Sequence, residues 1–449
     1  MNVAVIKTKA ETALLEDFEA VSARLPGNAA VGQMRRDAIG RFAALGLPGR
    51  RMEAWKYTDL RALLKDSPPL ATGDYSIAQY GIVEEALYRS LKGEDQGGDW
   101  SMIADGKQIT ANGKLAGVAS TLTSVLMSPP AWVTAELTRS GESSSDGVFA
   151  LNTAFMTDGV VLDVPDGADW TEPVHIMFCA AGGGKTENHR DPRRVVTRNI
   201  IRVGKNAKVT LVENHQGDAA MPRHSNSVTQ IIAGDGAEVT HVKFADPAAG
   251  ETHLANWIVR LGANTTYRPF QMTSGEGMVR NELNVVFEGQ HSSIDLGALA
   301  LARAAGHADT TMVIDHAVPH CTSREIYKCV LDGRARAVFQ GKVVVRPDAQ
   351  KTDGKQMARA LLLSPDAEFN SKPELEIYAD NVVCGHGTTS IELDEDLLFY
   401  CQSRGIPTAE ARALLIESFI GEVIDKVENE DLRAALTGKA SAWLNETTA

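Results

Sequence analysis

The residues best suited to chemistry lie in one short run, Cys384-Gly385-His386-Gly387-Thr388-Thr389. A thiol and an imidazole two positions apart share one face of an extended strand. Both groups ligate iron and iron–sulfur clusters. Gly385 and Gly387 leave room for a second backbone or an inorganic ligand to approach closely. One Cys and one His do not complete a tetrahedral site. The run therefore reads either as half of a metal site or as a tight coil around a buried thiol.

Three other runs carry reactive side chains. His316-Ala317-Val318-Pro319-His320-Cys321 brings three metal-capable groups together. Pro319 argues against a helix there, and on a strand the two imidazoles would share a face. Paired structural histidines in a β-core are the favoured reading. Gly182-Gly183-Gly184-Lys185-Thr186 follows an apolar strand, as a phosphate-binding loop does. That loop needs a glycine at position 179, which is Cys, and a helix after it, which Pro192 opposes. A plain loop is expected, with no ATP bound to this chain. Arg50-Arg51-Met52-Glu53-Ala54-Trp55-Lys56-Tyr57-Thr58 reads as a surface turn anchored by Trp55 and Tyr57. No Ser-His-Asp order, paired-carboxylate motif or dinucleotide fingerprint stands out. A β-helical enzyme acting on polysaccharide would need paired acids or a calcium-assisted base, and neither is found.

The elements that must hold these residues follow from the whole chain. Its 449 residues, 43% of them hydrophobic, allow two or three domains. A net charge of −13 repels phosphate backbones and anionic lipid heads, so neither nucleic acid nor a membrane surface is an expected partner. Five cysteines without a CxxC pair suit a reducing cytosol. The N-terminus lacks the basic start and apolar block of a signal peptide. The longest uncharged run, between Lys114 and Glu136, carries too many hydroxyls and prolines to span a bilayer. A soluble, cytoplasmic protein is expected.

Helical spacing marks residues 8–24, with Leu14, Phe18 and Val21 on one face and Glu11, Glu16 and Glu19 between them, and again 31–45. Pro26-Gly27 and Pro48-Gly49 stop these helices. The stretch 141–147 reads as a flexible loop or boundary. After Gly159 short alternating runs take over. Turn glycines at 204, 234, 262 and 289 are spaced by 30, 28 and 27, and the 44-residue step to Gly333 reads as one irregular coil or two short ones. A drifting period of about 30 without helices favours stacked β-coils over an antiparallel sandwich. From Pro407 the 3.6 period returns, with Leu415, Ile416, Phe419, Ile420 and Val423 on a wide apolar stripe, and a last helix is expected near 430–445.

The run Pro373-Glu374-Leu375-Glu376-Ile377 to Thr389, continued by Phe399-Tyr400-Cys401-Gln402-Ser403-Arg404-Gly405-Ile406, closely resembles the end of the β-helix core in the SufB/SufD family of iron–sulfur cluster assembly subunits. Glu53 to Thr58, Phe149-Ala150-Leu151-Asn152-Thr153-Ala154-Phe155 and Phe339-Gln340-Gly341 match the family too, in compatible order. One branch of the family has a glutamate where the other has the histidine of its Cys-x-His-Gly step. His386 puts this chain with the histidine branch, although Gly385 replaces the usual serine.

The resemblance implies a mainly β chain: a right-handed parallel β-helix over 151–405, a largely helical region over 1–150 and a C-terminal helical region over 406–449. It implies no enzyme activity of its own. It implies pairing with SufB through the β-helices and docking of the ATPase SufC on the C-terminal helices, at Leu415, Ile416, Phe419, Ile420 and Val423. A nascent iron–sulfur cluster would form at the SufB interface, with His386 and Cys384 as candidate ligands and a flavin as a further group for the complex. The essential sulfur-accepting cysteine would belong to SufB. A rival reading makes this chain the sulfur acceptor through Cys321 or Cys329.

Overall fold

The structure, a computed structural model, describes residues 7–71, 99–104, 107–112, 115–143, 147–179, 192–216 and 223–448. The glycine–lysine run at 182–186 and Cys179's side chain lie outside what is described, as do 144–146 of the expected loop.

The N-terminal helix Lys9–Val21 buries Leu14, Phe18 and Val21, as its spacing predicts. Thr8 caps it reciprocally with Glu11, a capping box. Glu11 is not the solvent-facing acid its spacing suggests. It is buried, accepts from the Leu47 N–H at 2.8 Å and pairs with Arg61 at 3.4 Å. The second helix, Ala29–Leu45, packs on the helix Gly147–Phe155.

From Val160 the chain winds into a parallel β-solenoid with two sheets. Successive strands alternate between them, so each strand pairs in parallel with the strand two before and two after it. Thr252–Leu261, for example, lies between Arg223–Ala233 and Met278–Phe287. Inward positions carry the continuous apolar core, including Trp257, Leu283, Ile314, Phe339 and Val343.

The repeat is sharper in the backbone than in the sequence. At one corner the residues with positive φ are Asn206, Gly236, Asn264, His291, His320 and Lys351, spaced by 27 to 31. The glycines visible in the sequence sit two residues earlier, where the turns stack: a Cβ on Gly289 would lie 2.0 Å from the Ala263 nitrogen. Gly333 belongs to the opposite corner, one coil after Ala304. The 44-residue step thus crosses from one corner row to the other and is neither an irregular coil nor two short ones.

The two ends of the solenoid differ. At the start, Lys107–Asn112 pairs antiparallel with Asp99–Ala104, and Ala119–Thr121 pairs antiparallel with Val160–Val164, so each sheet begins on a short reversed strand. At the other end, Val383–Ile391 and Glu368–Ile377 are the outermost strands, each hydrogen-bonded on one side only among the described residues. Helices Glu395–Ser403, Thr408–Ile424 and Glu430–Thr448 follow. No helix among the described residues is long and apolar enough to cross a membrane.

Candidate site at the open end of the solenoid

Cys384 and His386 stand on the last strand of the ten-stranded sheet. Strand parity points both inward: Gly354 and Gln356 are their register partners, and the neighbouring Ala358 and Ala360 belong to the inner core. Among the described residues no further strand covers them, and His386 is exposed and Cys384 half-buried. The imidazole is therefore at the rim rather than sealed within the stack.

The coils beneath are unusually polar for a solenoid interior. Glu325, Gln356 and His386 form one column through consecutive strands, in register. Ser323, Gly354 and Cys384 form the next. A Cβ on Gly354 would lie 3.3 Å from the Ser323 hydroxyl and 3.6 Å from the Cys384 sulfur, so its lack of a side chain leaves these two groups a shared space. The Ser323 hydroxyl is 3.1 Å from His316 Nε2. Ser371 and Thr388 hydroxyls, 3.0 Å apart, link the two terminal strands.

Burial sets the protonation of these groups. It lifts the Glu325 carboxyl to about 8, against the Ser323 hydrogen bond and Arg324, so the acid is largely neutral at pH 7. It lowers the His316 imidazole to about 4. The Cys384 thiol is raised by burial, partly opposed by a hydrogen bond from the Gly354 backbone and reinforced by Asp353 and Glu325. Cys321 and Cys329 are fully buried and likewise pushed up by desolvation. Buried, protonated thiols are poor nucleophiles, which argues against either as a sulfur acceptor. His316 and His320 do not form a pair. His316 is a core residue, and His320 sits in the turn stacked on His291 at 4.9 Å.

Among the described residues no group of three or more His, Cys, Asp and Glu side chains is placed to hold a metal ion. Cys384 and His386 alone are too few to complete a tetrahedral site. Exposed apolar side chains flank them in sequence. Most of the large apolar side chains exposed among the described residues fall between Ile377 and Tyr400, including Tyr378, Val383 (61% exposed) and Phe399 (70%).

The C-terminal stripe is arranged otherwise than expected. Ile416, Ile420 and Val423 pack on the outer face of the chain's own sheet, against Phe270, Leu299, Leu301 and Val330. That sheet face is apolar and needs cover, so these three side chains are not free to receive a partner. Leu415 and Phe419 are half-buried. Lys328 fixes the helix, donating to the Phe419 carbonyl and to Glu422.

Two motifs far apart in sequence meet on the other sheet. The Ala54 carbonyl accepts from Arg280 at 2.9 Å and from Gln340 at 3.0 Å. Trp55 is buried under the Arg280 guanidinium, 3.8 Å from the ring centre, and Thr58 bonds Asp309. Lys372, on the terminal strand, holds Glu53 at 2.7 Å. The anchors of this segment are Trp55 and Thr58, with Tyr57 only half-buried. Asn152, on the Gly147–Phe155 helix, donates to the Thr197 and Asn226 carbonyls and accepts from buried Arg198.

The family model described as "SUF system FeS cluster assembly, SufBD core domain" matches residues 185–419, and one for the SufBD N-terminal region matches 106–176. The chain is 33% identical over 296 residues to an iron–sulfur cluster assembly SufBD family protein of Synechocystis, covering 64% of each chain. It is 31% identical to the chloroplastic protein ABCI7 of Arabidopsis thaliana, covering 65% of this chain and 61% of the relative. It is 26% identical over 393 residues to the iron–sulfur cluster assembly protein SufD of Escherichia coli, covering 86% of this chain and 87% of that one. The match spans less than two thirds of the Synechocystis and Arabidopsis proteins.

Proposed function

The chain belongs to the SufBD family, and from that premise we propose that it is a non-enzymatic scaffold subunit of a SUF-type iron–sulfur cluster assembly complex, resembling the SufD members. It pairs with a SufB-like subunit through the open end of its solenoid, and a nascent cluster is built there as cargo. His386 is this chain's principal ligand and Cys384 an auxiliary one. ATP hydrolysis belongs to a SufC-like partner docked on the C-terminal helical region. A flavin is a further expectation for the complex, checked by the absorption spectrum of the purified assembly. The reading carries a cytoplasmic location, checked by cell fractionation.

The observation that carries this proposal is the exposure of His386 on a terminal strand whose second edge is unpaired among the described residues, flanked in sequence by exposed apolar side chains. Edge strands with free N–H and C=O groups are templates for pairing, and proteins normally blunt them. This one is left open beside an imidazole. A neutral imidazole offers a lone pair to iron, and a second chain can complete the donor set. Cys384, held as a thiol, joins only when a bound cation draws off its proton. Within the stripe named in the sequence, Ile416, Ile420 and Val423 also pack on the chain's own sheet. The SufC face draws on what remains outward, such as half-buried Leu415 and Phe419 and exposed Leu414.

His386→Ala is the test. Subunits carrying it should still co-purify, while cluster formation by the reconstituted complex falls at least about tenfold, the loss of a metal ligand or its close support. Normal cluster yield from an intact variant complex would refute the ligand assignment.

A further inference from the structure

Directly beneath His386 lies Gln356, its register partner on the preceding strand and on the same inward face. Neighbouring strands are about 4.8 Å apart, so the two side chains stack within reach of one hydrogen bond. Gln356 is 3% exposed, yet neither its Oε1 nor its Nε2 has a hydrogen-bond partner. Its amide occupies space that Gly341 leaves across the lumen, where a Cβ would be 2.5 Å from Oε1. Beneath Gln356, in the same column, is the buried carboxyl of Glu325. Buried amides are almost always satisfied, and an unpaired one costs stability that a hydrocarbon of the same shape would not.

We propose that Gln356 is a positioning residue for His386: its carbonyl oxygen accepts the inward ring N–H, fixing the tautomer whose outward nitrogen has the free lone pair, while Glu325 takes the amide N–H on the other side. A ligating imidazole must present an unprotonated nitrogen, and a carbonyl on its other nitrogen decides which one that is. Turning the side-chain amide about its terminal torsion, which is soft, brings Oε1 upward without moving the backbone. The column thus supplies from one chain what a ligand at a shared interface needs before the partner arrives. This rests on the reading of His386 as a ligand, but its test does not.

The experiment uses the full chain labelled with 15N-histidine, with no metal and no partner. Two-bond 15N–1H correlations, recorded where the imidazole is neutral, report which nitrogen carries the proton. His386 is assigned by the signal lost in His386→Asn. One tautomer should dominate, and Gln356→Met should reduce that preference about fivefold, the effect of one hydrogen bond. Gln356→Glu, which keeps a carbonyl oxygen, should restore it. Gln356→Met puts an apolar chain of the same length into a buried site, so it is expected to fold. A purely structural role would change thermal stability and leave the tautomer ratio alone. An unchanged ratio in Gln356→Met overturns the inference, whatever His386→Ala does. If His386→Ala assembles clusters normally while the ratio responds, the ligand reading fails and the positioning stands.

Discussion

At Gln356 and Glu325 this protein keeps polar groups where a solenoid would ordinarily place aliphatic ones, and each has a measurable consequence in the isolated chain. Gln356→Met should lower unfolding stability in urea by about 1 kcal/mol, because it removes the hydrogen bonds that the proposed column makes to His386 and Glu325; a gain in stability would mean that the amide stays unpaired in solution, as it is in the structure. Glu325 titrates near 8 folded and near the ordinary 4.5 unfolded. Between those values the native chain binds a proton that the unfolded chain has released, so stability falls as pH rises from about 4.5 to about 8 and is level beyond. Glu325→Gln should flatten that fall, its advantage over the parent growing across the window to as much as about 5 kcal/mol. A constant difference between the two proteins from pH 5 to pH 9 would show that the carboxyl is not held neutral. Cys384 and His386 are legible in the sequence because their types and two-residue spacing suffice. Glu325 and Gln356 are not, since 31 and 30 residues separate the members of their column and only the register aligns them.

The C-terminal helix shows that an amphipathic pattern does not name the surface that covers it. Periodicity identifies the stripe of Thr408–Ile424 but says nothing about what covers it. The structure covers Ile416, Ile420 and Val423 with the outer face of the chain's own sheet. Ile420→Ala should therefore destabilise the isolated chain by about 2–4 kcal/mol, through lost burial and a residual cavity. A mere loss of partner affinity with unchanged thermal unfolding would restore the docking assignment. The segment Glu53–Thr58 makes the opposite case. Its charge and aromatic content suggest a surface turn, yet Trp55 and Thr58 are buried against Arg280 and Asp309. Gln340 and Lys372 extend that attachment to strands far along the solenoid. Nothing local to the segment specifies partners more than 200 residues away.

On the scale of the molecule, the asymmetry of the two ends matters most. Short reversed strands begin both sheets, whereas the last two strands run parallel to their neighbours, have one side unpaired among the described residues and carry exposed apolar side chains. Val383→Lys, on the terminal strand and already 61% exposed, should leave thermal unfolding within about 0.5 kcal/mol of the parent. It should also abolish capture of a SufB-like partner in a pull-down, because a charged edge strand resists pairing. Retained capture would move the interface elsewhere. The sequence by itself determined the class of fold, through a drifting repeat of β-runs and turns between helical segments, and it singled out Cys384 and His386. It did so because side-chain period, turn chemistry and residue type are local properties. Only the tertiary structure decided which coil is last, which inward column lies beneath His386, and which apolar stripe is already covered. Those are set by register and by contacts between distant residues, and register in a solenoid depends on the length of every turn before it.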